Sequence, residues 1–286
     1  MSTARPECPP RVVYFGPPSS YTHQAACRAF GDDAAFTDVA SVTDVFEVVA
    51  ADDADYGVVP VENSTEGIVT MTFALFHRFH EAGLNIYGES MLPIRHHLVA
   101  AAGVTTRQIQ RIYSHRQVLG QCRHWLQTHM PDCELVEVSS TPAAAAQAAD
   151  DPTAAAIAGE MAADVHGLEL LCRGIEDRHG NSTRFLILSK AVPAPSGDDR
   201  TSIMFATQDK VGALYDALLP FKVNHVNLSM IQSRPSLQKN WEYVFFVDFL
   251  GHATDDHCAR ALEELAMHCQ FVEILGSYPR ATPPAT

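Results

Sequence analysis

Apolar residues come in short blocks whose period alternates between two and three to four. "RVVYF" (11–15) is an apolar run that predicts a buried strand. A Gly-Pro turn follows, then the helical pattern "YTHQAACRAF" (21–30), which Ser19 or Ser20 would cap. "SVTDVFEVVAADD" predicts a helix, and "YGVVPVEN" (56–63) a strand that ends in polar groups. "HHLVAAA" and "IYSH" (112–115) predict further strands, with "QVLGQCRHWLQTH" (117–129) a single helix after the second. "CELVEVS" (strand), "TPAAAAQAAD" (helix), "AAAIAGE" (strand) and "TRFLILSK" (183–190, strand) complete the series. Pro142 suits a first helical turn, so the alanine-rich segment reads as a packed helix and not as low complexity. Alternating strands and helices predict an α/β unit with a mainly parallel, covered sheet. Ligands in such sheets sit beyond the carboxyl ends of the strands.

The pattern breaks at "AVPAPSGDDR", so residues 191–200 read as a linker. After it come "TSIMFAT" (strand), "VGALYDALLPF" (helix), "VNLSMIQSRP" and "WEYVFFVDFLG" (strands), "HCARALEELAMHC" (helix) and "VEILGSYP" (strand). That order, βαββαβ, predicts a separate ferredoxin-like unit.

Composition narrows the function. Among 286 residues, 20 Lys+Arg face 34 Asp+Glu, a formal charge of −14, which argues against nucleic acid as a partner. A small anion is still bindable by a few local arginines or helix N-termini. The first twenty residues lack a secretory apolar core and no run approaches membrane-spanning length, so a cytoplasmic, membrane-free protein is expected. Seven cysteines without C-x-x-C spacing fit reduced thiols. Of the 14 histidines, His77/His80 and His96/His97 are the closest pairs, and neither has the companions of a metal site. No metal or cofactor is expected.

Four ordered stretches, "VVYFGPPSSYTHQAA", "YGVVPVENSTEGIV", "YSHRQVLGQC" and "NSTRFLIL", resemble the motifs of prephenate dehydratases. "GALYDAL", "NLSMIQSRP" and "EYVFFVDF" resemble the ACT regulatory domain that follows them in that family. The resemblance covers about residues 11–279 and implies a monofunctional enzyme, with no room for the chorismate mutase segment that precedes some members. It implies a two-lobed, periplasmic-binding-protein-like catalytic domain over 11–190. Its subdomains would be about 11–90 plus 171–190, and 91–170. A linker (191–200), the ACT domain (201–279) and tails at 1–10 and 280–286 complete the chain.

The implied reaction converts prephenate to phenylpyruvate with loss of water and carbon dioxide, on the route to phenylalanine, without a cofactor. Expelling the ring hydroxyl calls for a positioned proton donor, worth about 10²–10⁴-fold. The resemblance gives that contact to Thr183 and adds Glu62, Asn63 and Gln121 as catalytic residues. Thr22, Ser64, Ser114, His115 and Arg184 would hold substrate. For Arg184 a carboxylate contact and an internal ion pair both stand open, and Phe185 reads as core. L-Phenylalanine is the implied effector, held by Gly212, Ala213, Leu214, Asn227, Leu228, Gln232, Ser233, Arg234 and Pro235. A homodimer or homotetramer is implied as well. Three positions depart from the family pattern: Ser19 stands where glycine is usual, Arg116 where proline is, and Gln232 where glutamate is. If position 19 needs a positive φ, serine carries strain there. Arogenate as substrate, a prephenate decarboxylase and a non-catalytic small-molecule sensor are the alternatives. The intact "STRF" argues against the decarboxylase. The missing signal peptide and DNA-binding segment argue against the sensor.

Overall fold

The structure, a computed structural model, describes residues 9–31, 33–235 and 243–282. Strand β1 (Arg11–Phe15) leads to α1 (Tyr21–Phe30), then β2 (Ala35–Val39), α2 (Val42–Ala50), β3 (Tyr56–Asn63), β4 (Gly67–Ile68), α3 (Thr70–Phe79) and β5 (Asn85–Pro93). Ser20, not Ser19, caps α1 by accepting from the His23 N–H, and Ser41 with Asp44 forms a capping box on α2. The chain continues through β6 (His97–Ala100), β7 (Arg111–His115), α4 (Arg116–Gln121), α5 (Arg123–His129) and β8 (Glu134–Val138). Next come α6 (Thr141–Ala149), β9 (Ala154–Ala158), α7 (Glu160–Val165), β10 (Glu169–Cys172) and β11 (Ser182–Ser189).

These elements build two sheets, β2-β1-β3-β11-β5 (with β4 on β3) and β10-β6-β9-β7-β8. The expected mainly parallel sheet needs correction. β1 pairs in parallel with β2 and β3, and β7 with β8 and β9. β11 runs antiparallel between β3 and β5, and β6 antiparallel to both β9 and β10. The reason is connectivity. The chain crosses between lobes twice, from β5 to β6 and from β10 to β11, and each arriving strand is inserted reversed among parallel neighbours.

The helix expected over 117–129 is in fact two, parted at Cys122. The carboxylate of Asp177, on the returning crossover, accepts from the N–H groups of His124 and Trp125 and so caps α5 from outside. The loop before α1 places Ser19 at φ 59°, the left-handed region, where a side chain costs about 1–2 kcal/mol. Its N–H donates to His23 Nδ1 at 3.0 Å.

The C-terminal unit has β12 (Asp199–Thr207), α8 (Ala213–Val223), β13 (Leu228–Pro235), β14 (Tyr243–Leu250), α9 (Asp256–Ala266) and β15 (Cys269–Pro279). Its sheet order β13-β14-β12-β15 is the ferredoxin-like one. The linker is shorter than expected, because Asp199 and Arg200 already pair in β12. Asp199 accepts from Ser196 and Gly197, which fixes the turn into the strand. One face of this sheet carries α8 and α9, through Phe205, Phe221, Phe249 and Leu265. The other shares a core with the first lobe: Met204, Val244, Phe246 and Tyr278 pack with Phe73, Phe76 and Ile86. β15 runs so close to β5 that a Cβ on Gly276 would overlap the Ile86 carbonyl oxygen.

Candidate active site

The carboxyl ends of β1 and β3 and the start of β11 meet the second lobe across a cleft of about 490 Å³, lined by Thr22, Asn63, Glu66, His96, Gln121 and Thr183 among others. An adjoining hollow of about 700 Å³ shares Glu66, His115, Gln121 and Asn181 with it.

Period-two alternation decides which motif residues reach the cleft. Thr183 pairs with Asn63 across the β3–β11 ladder, and Arg184 with Glu62. The first pair faces the cleft and the second faces away. Asn63 is fully oriented: its Oδ1 accepts the N–H groups of Thr65 (2.9 Å) and Glu66 (3.0 Å), so its Nδ2 donates to Thr183 Oγ1 at 2.9 Å. With its oxygen accepting from Asn63, the threonine hydroxyl keeps its own hydrogen for the cleft. Gln121 is oriented the same way. Its Nε2 donates to Glu66 Oε1 (3.0 Å), so its Oε1 accepts from His96 Nε2 (2.7 Å). This chain joins a loop of the first lobe to α4 of the second. Burial is the main cause holding the His96 pKa below its ordinary value, so the ring is neutral and protonated on Nε2. Its Nδ1 is buried without a hydrogen-bond partner among the described residues.

Several expected site residues lie elsewhere. Glu62 Oε2 is 3.4 Å from Arg184 Nε on the far face of the sheet, because it neighbours the inward Asn63. Arg184, 4% exposed, makes internal ion pairs with Glu89 and Asp248 and reaches no cleft. Burial opposes its charge, yet the carboxylates of Asp248 and Glu89 outweigh that and hold its pKa above the ordinary arginine value. Ser114 is fully buried and donates to the Ile157 carbonyl, tying β7 to β9. Ser64 accepts from the Ser182 N–H and donates to Asn181, closing the β3–β11 end. His115 stands at the cleft mouth, where its Nδ1 accepts from the Gln117 N–H at the start of α4. Phe185 is buried core that also touches the cleft. Glu66, His96 and Asn181 are cleft residues that the sequence reading did not assign to it. Glu66 lies within the family-like stretch "YGVVPVENSTEGIV", and His96 belongs to a histidine pair whose spacing raises only the question of a metal. Among the described residues no group of three His, Cys, Asp or Glu is placed to hold a metal ion.

In the C-terminal unit Gly212 (φ 81°) begins α8 and Asn227–Leu228 leads into β13. Gln232 Nε2 donates to the neighbouring Ser233 carbonyl, so this side chain lies along its own edge strand. Ser233, Arg234 and Pro235 follow it in β13.

A two-lobed α/β unit with a polar, hydroxyl-bearing cleft at its strand ends, joined to a ferredoxin-like unit, defines a protein of periplasmic-binding-protein-like fold with a small-molecule site. Comparison with known proteins gives the particular family. The family model for prephenate dehydratase matches residues 12–193, and the chain belongs to that family. It is 44% identical over 271 residues to a bifunctional chorismate mutase/prephenate dehydratase of Aquifex aeolicus, covering 95% of this chain and 74% of that protein. The prephenate dehydratase of Arthrobacter aurescens in complex with L-Phe superposes with a TM-score of 0.85 at 36% identity, over 96% of this chain and 92% of the other. GqqA, described as a novel type of quorum quenching acylase, has a TM-score of 0.86 at 30% identity, over 96% of this chain and 98% of its own.

Proposed function

We propose that the chain removes water and carbon dioxide from prephenate to give phenylpyruvate. Residues 11–190 would form the catalytic domain, and the unit from Asp199 onwards the regulatory one. The C–C bond to the ring carboxylate breaks, its electron pair enters the ring, the ring C–O bond breaks, and one proton converts the departing hydroxide to water. The observation that carries this reading is the Asn63–Thr183 hydrogen bond at 2.9 Å. It leaves the Thr183 hydrogen aimed away from Asn63 and free to meet the leaving oxygen. A threonine hydroxyl is a weak acid, so it acts as a donor that a solvent proton replenishes. Gln121, held by Glu66 and His96, braces the lobes around the substrate. Incubating the protein with prephenate and following phenylpyruvate absorbance tests this, and arogenate in a parallel assay tests the substrate choice. Arogenate, which keeps its amino group, would give phenylalanine, so no phenylpyruvate from prephenate and no phenylalanine from arogenate would refute the reading.

L-Phenylalanine is the proposed effector, supported by the L-Phe complex of the Arthrobacter aurescens relative. Glycine at position 212 lets the backbone approach an amino acid at the start of α8, where free N–H groups suit a carboxylate. Calorimetry at millimolar phenylalanine tests it. The proposed assembly is a homodimer or a dimer of dimers through the C-terminal unit. Tyr215, Leu219 and Val223 are exposed at four-residue spacing along one side of α8, Val211 is exposed in the turn before it, and Ile231 is exposed on edge strand β13. Light scattering showing only the 31.2 kDa monomer at micromolar concentration would refute it.

A further inference from the structure

Beneath the cleft, four buried charges join the two units. Arg184 Nη1 lies 2.8 Å from Asp248 Oδ2 and 3.2 Å from Glu89 Oε2. Arg200 reaches the same two oxygens at 3.6 and 3.5 Å. The side chains of Glu89 and Asp248 are 0% and 2% exposed. Arg184 and Glu89 belong to the first lobe, Asp248 and Arg200 to the C-terminal unit. Ser202 Oγ donates to Asp248 Oδ1 at 2.6 Å and lies 2.7 Å from Tyr278 Oη, which anchors the carboxylate from its own side. These two cations and two anions balance, with the more exposed Glu62 at their edge, 3.4 Å from Arg184 Nε; among the described residues Arg184 Nε, Arg200 Nε and Asp248 Oδ2 lack an aligned hydrogen bond. Charge, more than hydrogen-bond geometry, holds the cluster, and breaking one member leaves the others unbalanced in a buried place.

Its position gives it consequence. The β3–β11 ladder slips between Arg184 and Phe185, where Val61 is the extra residue. This bulge lets Pro60 and Asn63 both line the cleft while Val61 stays in the core behind. Bulges beside sites re-aim the side chains of the bulged strand, here Asn63; Thr183 faces Asn63 from β11, so their meeting depends on where Arg184, the next residue of β11, is pinned. The closest partner of that pin is Asp248.

We propose that Asp248 is a positioning residue for the reaction: it fixes Arg184, which fixes β11 opposite the bulge and so aims the Thr183 hydroxyl. The C-terminal unit thereby completes the catalytic strand. The inference rests on the reading of Thr183 as the proton donor.

Asp248→Asn keeps the shape and the Ser202 contact and removes the charge. Asp248→Asn with Arg200→Gln removes the surplus cation too, so any loss due only to unbalanced buried charge is restored in the double variant. Melting temperature, kcat and KM for prephenate, and hydrogen exchange at residues 182–185 are measured on each full chain. Positioning gives a kcat about 10-fold or more lower in both variants. It also gives a KM within about twofold of the parent and faster exchange at 182–185, with melting temperature recovered in the double variant. Recovery of kcat together with melting temperature, or unchanged exchange at 182–185, overturns the proposal. If the parent protein does not turn over prephenate, the reading of the cleft fails by itself, and the exchange measurement still decides whether Asp248 holds the strand.

Discussion

Thr183→Val keeps the β-branched shape and strand preference and removes only the oxygen that accepts from Asn63 Nδ2 at 2.9 Å. The cost to the fold is one hydrogen bond, net about 1 kcal/mol. It is not the larger penalty of a stranded buried donor, because Asn63 is only half-buried at the cleft and water can replace the threonine. A domain of this size should then lose about 2–4 °C of melting temperature. The cost to the reaction is larger. Losing a general-acid contact removes about 10²-fold at least, equivalent to about 2.7 kcal/mol of barrier. The valine variant should therefore melt near the parent and turn over prephenate at about one hundredth of its rate or less. Thr183→Ser, which keeps the hydroxyl, should stay within about tenfold of the parent. Denaturant unfolding beside the phenylpyruvate assay measures both quantities. A valine variant with parental kcat, or one whose activity loss is matched by its loss of folded protein, would refute the assignment.

Gly276→Ala drives a methyl group into the Ile86 carbonyl, which is backbone and yields poorly. Unfolding free energy should drop by about 1–3 kcal/mol through the interface between units, and an unchanged denaturation midpoint would show that β15 and β5 are not so close. Ser19→Gly relieves about 1–2 kcal/mol at φ 59° and costs about 0.5–1 kcal/mol in glycine's extra chain entropy, so it should stabilise by about 0.5–1 kcal/mol, read as a rise in the urea midpoint. Burial is the first cause holding His23, His96 and His97 below the ordinary histidine pKa. The unfolded chain therefore binds more protons near pH 6.5, and stability should be complete above that pH and decline on acidification below it. Urea titrations between pH 5 and 8 test the sign, and His96→Asn should flatten the slope; stability that rises on acidification would refute it.

The local elements were legible because their causes are local. Period-two and period-3.6 runs, a serine cap expected at 19 or 20 and found at Ser20, and Pro142 in a first turn mark β1, α1, α2, β3 and α6 in the sequence itself. The βαββαβ unit was legible for the same reason, each turn being marked by its own polar residues. Strand β5 is not legible: its centre, Gly88-Glu89-Ser90, looks polar, and Glu89 is buried where Arg200 and Ala281 of the C-terminal segment meet it. The break at Cys122 was equally hidden, since the carboxylate that caps α5 comes from Asp177, more than fifty residues on.

The motif "STRF" and the segment "PVENSTEG" announced a site, but two facing strands decided its membership. A one-residue step along a strand reverses the side chain, so Asn63 and Thr183 enter the cleft while Glu62 and Arg184, their immediate neighbours, pair on the far face, where Arg184 meets Asp248 of the other unit. The sequence by itself determined the local elements, the ferredoxin-like order and the segments from which the cleft is made. Tertiary structure alone decided the reversed strands, the bulge at Arg184 and the burial of Glu89 and Asp248 together. Those features depend on contacts between residues far apart in the chain, and local periodicity carries no record of them.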